Sequence, residues 1–172
     1  MKLINSLMLI EELDLWDAAH NCWIKFKLWP SQKNLVALIL TTRKIILLKK
    51  RQMGASQLFG ADSLIQALAG RFRTLVLSKT ARDSATLLNR IRTMYNNIPD
   101  LHTLDREYKE NGFIPKYRIM LAKIKQRNPI LKGKDGGETM LFKSGSDIQS
   151  LPASQGRGDT VNRVILDEAA FV

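Results

Sequence analysis

Residues 44–68 constrain this chain more tightly than any other stretch. Lys44-Ile45-Ile46-Leu47-Leu48 is a short apolar, β-branched run that reads as a buried strand. Gln57 to Leu68 places apolar residues at helical spacing. Between them lies the basic loop Lys49-Lys50-Arg51-Gln52-Met53-Gly54-Ala55-Ser56. In a strand, tight loop and helix, backbone N–H groups and a helix N-terminus converge on an anion. Measured against G-x-x-x-x-G-K-[ST], Gly54 and Ser56 fit the second glycine and the hydroxyl. Lys49 stands at the first glycine and Ala55 at the lysine. Lys49, Lys50 or Arg51 could supply the missing cation from the other end of the loop, and Ser56 would place its hydroxyl on Mg²⁺. The competing reading is a solvated basic turn.

The chain has 172 residues, enough for a domain with a real core, and an ordinary apolar fraction of 45%. Its formal charge of +11 is far from average and points to a polyanion, nucleic acid ahead of a membrane surface. A basic face that binds nothing in particular is the alternative. Cys22 is the single cysteine, so no internal disulfide can form and a reducing compartment is expected. Beside Trp23 and Ile24 it reads as core. Asn5 interrupts the apolar N-terminus and Glu11-Glu12 follow it, a poor signal peptide. Apolar runs such as Leu35 to Leu40 are too short to span a bilayer.

Ser6 to His20 reads as an amphipathic helix and Cys22 to Trp29 as a short extended piece. Pro30 stops what precedes it, and Ser31 caps a helix through Leu40. Gly70 closes the helix after the basic loop. Thr74 to Ser78 is a second buried strand, and Ala81 to Asn97 a helix with Leu87, Leu88, Ile91, Met94 and Tyr95 on its apolar face. Strand, helix, strand, helix is the pattern of parallel βαβ units. Ile98 to Lys134 reads as an irregular basic insertion with one helix near Lys116 to Gln126, the best candidate for a surface that tracks phosphates. Thr139 to Lys143 and Asp147 to Leu151 flank Ser144-Gly145-Ser146 as a hairpin, and Arg163 to Asp167 is the last strand. Trp16, Trp23 and Trp29 read as core rather than as a stacking platform.

Val164-Ile165-Leu166-Asp167-Glu168 ends a buried strand in two carboxylates. In open parallel sheets ligands bind outside the carboxyl ends of the strands. Asp167 could hold Mg²⁺ through a water, and Glu168 could orient and deprotonate an attacking water. An ordinary strand end with two solvated acids is the competing reading.

Four pieces, in order, resemble the ATPase domain of large terminase subunits, the DNA-packaging motors of tailed bacteriophages. Leu28-Trp29-Pro30-Ser31-Gln32 is similar to the family's adenine-recognising segment, with Gln32 as its glutamine. Lys50 to Ser56 resembles its deviant phosphate loop, in which the lysine often moves to the loop's start. Thr74 to Ser78 and the helix after Ala81 resemble its next strand-helix unit. Val164 to Phe171 resembles its acidic motif, preceded by a typical Gly156-Arg157-Gly158. The resemblance covers Leu28 to the end. It implies an α/β P-loop fold, a mainly parallel sheet with helices on both faces, after a small helical N-terminal segment over 1–27. The ATPase domain would occupy 28–172 and be incomplete at its C-terminus, lacking the family's coupling motif and nuclease domain.

The activity implied is ATP hydrolysis with Mg²⁺, driving double-stranded viral DNA into a procapsid. Gln32 and the loop Lys49, Lys50, Arg51, Gln52, Met53, Gly54, Ala55 and Ser56 would bind nucleotide. Ser56 and Asp167 would face the metal, and Glu168, Arg51 and Arg157 would serve catalysis, either arginine as the finger acting on a neighbouring subunit. The implied partners are a portal ring, a small terminase subunit and further copies of the chain, in the host cytoplasm and on no membrane. A helicase-like ATPase and a product that binds nucleotide or DNA without turnover are the alternatives.

Overall fold

The computed structural model describes residues 3–17, 20–42, 44–47, 54–131, 138–155 and 160–166. Helix α1 (Leu3–Glu11) is followed by a hairpin of β1 (Asp14–Asp17) and β2 (Cys22–Lys25), then by α2 (Pro30–Thr41) and α3 (Ala55–Ala69). β3 (Arg73–Ser78), α4 (Ala81–Asn96), α5 (Leu101–Asn111) and α6 (Lys116–Arg127) come next. β4 (Thr139–Leu141), β5 (Asp147–Pro152) and β6 (Arg163–Leu166) complete the described chain, with one short 3₁₀ turn at Ala153–Gln155.

The main sheet has four strands in the order β4-β5-β3-β6. β3 pairs in parallel with both β5 and β6, bringing Val76 opposite Ser150 and Ile165. β4 is antiparallel to β5, the hairpin expected around Gly145, which takes φ 85 at the turn. The fold is therefore mixed α/β with a mainly parallel sheet.

α3 is the central helix. Leu58, Ala61, Leu64, Ile65 and Leu68 are buried, and so are Gly60, Asp62 and Ser63 on its other sides. A helix enclosed this fully must lie between layers. Its small residues let α4 come close, and a Cβ on Gly60 would lie 2.9 Å from Cγ1 of Ile91. α4 buries the five apolar residues expected of it. α3 and α4 lie side by side against the sheet face that carries Val76, Ile148 and Ile165. Where helices were expected on both faces, the described helices packed on the sheet, α3 and α4, share this one. On β6 the alternate residues Val164 and Leu166 are 54% and 46% exposed.

Other expectations also shift. The first helix ends at Glu11, not near His20, because acidic Glu11, Glu12, Asp14 and Asp17 suit a helix C-terminus poorly. Asp14–Asp17 and Cys22–Lys25 instead pair as the hairpin, joined by a Lys25–Asp14 ion pair at 2.8 Å and by Trp16 opposite Trp23. The segment 1–27 is therefore helix plus hairpin, with Leu9, Ile10 and Leu13 inside the common core. Cys22 is exposed, not core.

Pro30 opens α2 instead of breaking the chain before it, since its missing N–H is an orphan at a first helical position anyway. Trp29, not Ser31, is the N-cap residue. Lys44–Leu47 pairs with no described strand, and without a ladder its side chains stay outside, Ile46 being 94% exposed. The stretch read as irregular holds α5, capped by Asp100, which accepts from the N–H of Thr103, and closed by Gly112 at φ 69.

Candidate functional site

α3 starts at Gly54, which sits in the left-handed region at φ 67 and offers no side chain to cap the helix. The first N–H groups of α3 have no intrahelical acceptor, and Gly54 has no side chain to offer them one. Ala55 and Ser56 occupy its first two positions. The geometry at Gly54 needs glycine twice over. Positive φ strains any other residue, and a Cβ there would lie 3.0 Å from Nε2 of Gln32.

Gln32 is brought to this point from α2. It is nearly buried, and its Oε1 accepts from the N–H of Trp29 at 3.0 Å. The residue expected to read a base thus sits with its amide against Gly54 and its carbonyl holding the start of α2. It braces the loop-to-helix junction.

The direction of α3 follows from its connection. Gly70 to Phe72 is all that separates it from β3, so its 15 residues, about 22 Å, run back along the sheet. Its N-terminus therefore stands at the end where the parallel strands β3 and β6 finish. That alignment is pinned by Arg163, whose guanidinium donates to the fully buried carboxylate of Asp62 and, at 3.3 Å, to the hydroxyl of Ser63. Arg163 also lies over the ring of Phe72 at 5.1 Å. From this pin, α3 rises about 10 Å to Ala55 and β6 about 10 Å to Leu166, at the rises usual for helix and strand.

The other end of α3 is held just as firmly. Asn128 donates to the carbonyls of Ala67 at 2.9 Å and Leu68 at 3.2 Å, satisfying two terminal acceptors. The hydroxyl of Ser146 donates to the Gly70 carbonyl and accepts from the N–H of Phe72 at 3.0 Å. Arg73 bonds Asp147 at 2.8 Å and the Thr160 carbonyl at 3.1 Å.

Beside the α3 N-terminus opens a cleft of about 1040 Å³. Its walls are residues 54–57, the hairpin residues Trp16 and Trp23, and Asn89 and Arg90 of α4. Trp16 and Trp23 are 44% and 47% exposed and meet edge to face at 5.1 Å. With Trp29 also exposed, the tryptophans are not the core residues expected.

Gln32, Gly54, Ala55 and Ser56 are thus gathered at one point. Lys49, Lys50, Arg51, Gln52 and Met53 lie outside the described residues, as do Arg157, Asp167 and Glu168. Asp62, Arg163, Trp16 and Trp23 were missed as site residues. Asn21, at φ 51 in the hairpin turn, is the signal that could have found the tryptophan pair. Asp62 gave a weaker signal, the one charged residue in α3.

In α6, Arg118 forms a two-pronged bond with Glu107, Nε to Oε2 at 3.1 Å and Nη2 to Oε1 at 2.9 Å. This holds the Glu107 carboxyl below its ordinary value and raises Arg118. Lys125 donates to the Ile98 carbonyl at 2.5 Å and stands over the ring of Tyr95. Its burial lowers its pKa. Both basic residues are thereby committed within the fold. Lys116, Lys123 and Arg127 are exposed and fall on one stripe, within about 40° at 3.6 residues per turn. Among the described residues no helix is long and apolar enough to cross a membrane. Neither models of known protein families nor curated proteins gave a match to the chain.

Proposed function

We propose that this chain binds and hydrolyses ATP as the motor domain of a DNA-packaging machine like the large terminase subunits, with double-stranded DNA as its track. The carrying observation is the meeting of Gln32 with a left-handed Gly54 at the N-terminus of α3, beside the end toward which β6 runs. A phosphate group is a ligand that a helix N-terminus suits. Ser56, in the first turn of α3, offers a hydroxyl to a magnesium ion, with Asp167 as its partner in this reading. The ion, when bound, neutralises charge on the phosphates.

Lys49, Lys50 or Arg51 supplies the cation that Ala55 lacks. Glu168 orients the attacking water and takes its proton. Arg157 or Arg51 reaches a neighbouring subunit's nucleotide on the portal ring. The charge of +11 and the Lys116–Lys123–Arg127 stripe support a polyanionic track.

The test is Mg·ATP affinity and turnover for Glu168→Gln and Asp167→Asn. Glu168→Gln is expected to keep ATP binding and lose turnover by roughly two orders of magnitude or more, the scale of a lost general base. Asp167→Asn is expected to weaken Mg²⁺-dependent binding itself. Normal hydrolysis by Glu168→Gln would remove the catalytic assignment.

A further inference from the structure

Trp16 and Trp23 face each other directly across the β1–β2 hairpin, so their side chains share one face of that ribbon. Two large rings left about half exposed, in edge contact, are an unusual investment for a hairpin whose other face supplies buried Leu15 to the core. They line the cleft that is also lined by the start of α3 and by Asn89 and Arg90 of α4. The cleft therefore joins an aromatic surface, the first residues of α3 and an exposed guanidinium within about 1040 Å³, with Asp14 of β1, paired to Lys25, also on its lining. That volume is at the upper end of small-molecule sites. A ligand matching all three is a planar heterocycle carrying a polyanionic tail.

We infer that the Trp16–Trp23 wall holds the base of the nucleotide whose phosphates lie at the α3 N-terminus. This rests on the nucleotide reading above and adds to it the surface against which the base stacks. In this geometry Gln32 holds the start of α2 through its carbonyl and sets its amide against Gly54. Stacking is tolerant of base identity, since every base offers a π-face. The site should accordingly accept several nucleoside triphosphates with similar affinity.

The experiment titrates the chain with Mg·ATP, with inorganic tripolyphosphate and with a thymidine oligonucleotide, following tryptophan fluorescence and calorimetric heat. Trp16→Ala and Trp23→Ala are each expected to weaken ATP binding several-fold to about a hundredfold, the range for stacking of one base. Tripolyphosphate, which has no base, should bind these variants as it binds the parent. Trp16→Phe and Trp23→Phe should restore most of the ATP affinity, and far-ultraviolet circular dichroism should show every variant folded. ATP affinity unchanged in the alanine variants would overturn the inference while leaving the phosphate site standing. Binding of neither ATP nor tripolyphosphate by the parent would remove the nucleotide reading and this inference with it. Loss of oligonucleotide binding alone in the alanine variants would assign the wall to nucleic acid and overturn the proposal.

Discussion

Arg163 at the start of β6 reaches across 101 residues of sequence to donate to Asp62 in the middle of α3. The two residues belong to the helix that follows the basic loop and to the strand that precedes Asp167 and Glu168. Asp62 is fully buried and the Arg163 side chain is only 14% exposed. The pair sets the height of one element against the other.

Breaking this pair from one side leaves a charge buried without its partner. Asp62→Ala and Arg163→Ala are each expected to destabilise the fold by about 3–5 kcal/mol. The double replacement Asp62→Leu with Arg163→Met should recover much of that loss, because removing both charges removes the uncompensated one. Urea denaturation midpoints for the single and double variants check this. Single variants as stable as the parent would show that the pair does not hold α3 to β6.

The α6 stripe predicts a salt-dependent DNA affinity. Each cation that ceases to neutralise a phosphate should reduce the slope of log affinity against log salt by about 0.9. Lys116→Glu, Lys123→Glu and Arg127→Glu together should therefore flatten that slope and weaken binding to unrelated sequences equally. The check is fluorescence anisotropy with two duplexes at several salt concentrations. An unchanged slope would place the DNA surface elsewhere.

Acid should loosen the α5–α6 region first. Hydrogen bonds from Arg118 lower the Glu107 carboxyl from 4.5, and the backbone N–H of Thr103 leads the causes that lower Asp100 from 3.8. A carboxyl depressed in the folded state contributes stability that is complete above its unfolded value and is lost as pH falls through its folded value. Stability from these groups should hold above about pH 5 and fall below the unfolded carboxylate values. Glu107→Gln should be less stable than the parent near neutrality and converge on it in acid. Midpoints measured across that range decide the matter, and a constant gap at every pH would exclude the Glu107–Arg118 pair as its source.

Much of this architecture is legible in the sequence because local pattern and tertiary packing agree. β3, α4 and the β4–β5 hairpin stand where their periodicities place them. α5 was missed because its buried apolar residue is Leu104 alone, although Asp100 and Gly112 marked both ends. The β1–β2 hairpin was missed because its stability comes from Trp16 against Trp23 and Asp14 against Lys25, cross-strand pairs that no window of neighbouring residues contains. Lys44–Leu47 has the composition of a strand, yet a strand exists only where a ladder receives it. At the candidate site, Gly54 and Ser56 were legible from spacing. The placement of Gln32 against Gly54 and of Arg163 on Asp62 depends on contacts between distant elements.

The central claim is that the N-terminus of α3 at Gly54 receives the phosphates of ATP. Isothermal titration of Mg·ATP into the parent chain and into Gly54→Val tests it most directly. A valine there must adopt a left-handed φ and bring its Cβ to 3.0 Å from the Gln32 side chain. Circular dichroism should show the variant still folded, since the change lies outside the buried face of α3. The expected result is measurable binding by the parent and none by the folded variant. Equal affinity in the two proteins would contradict the account.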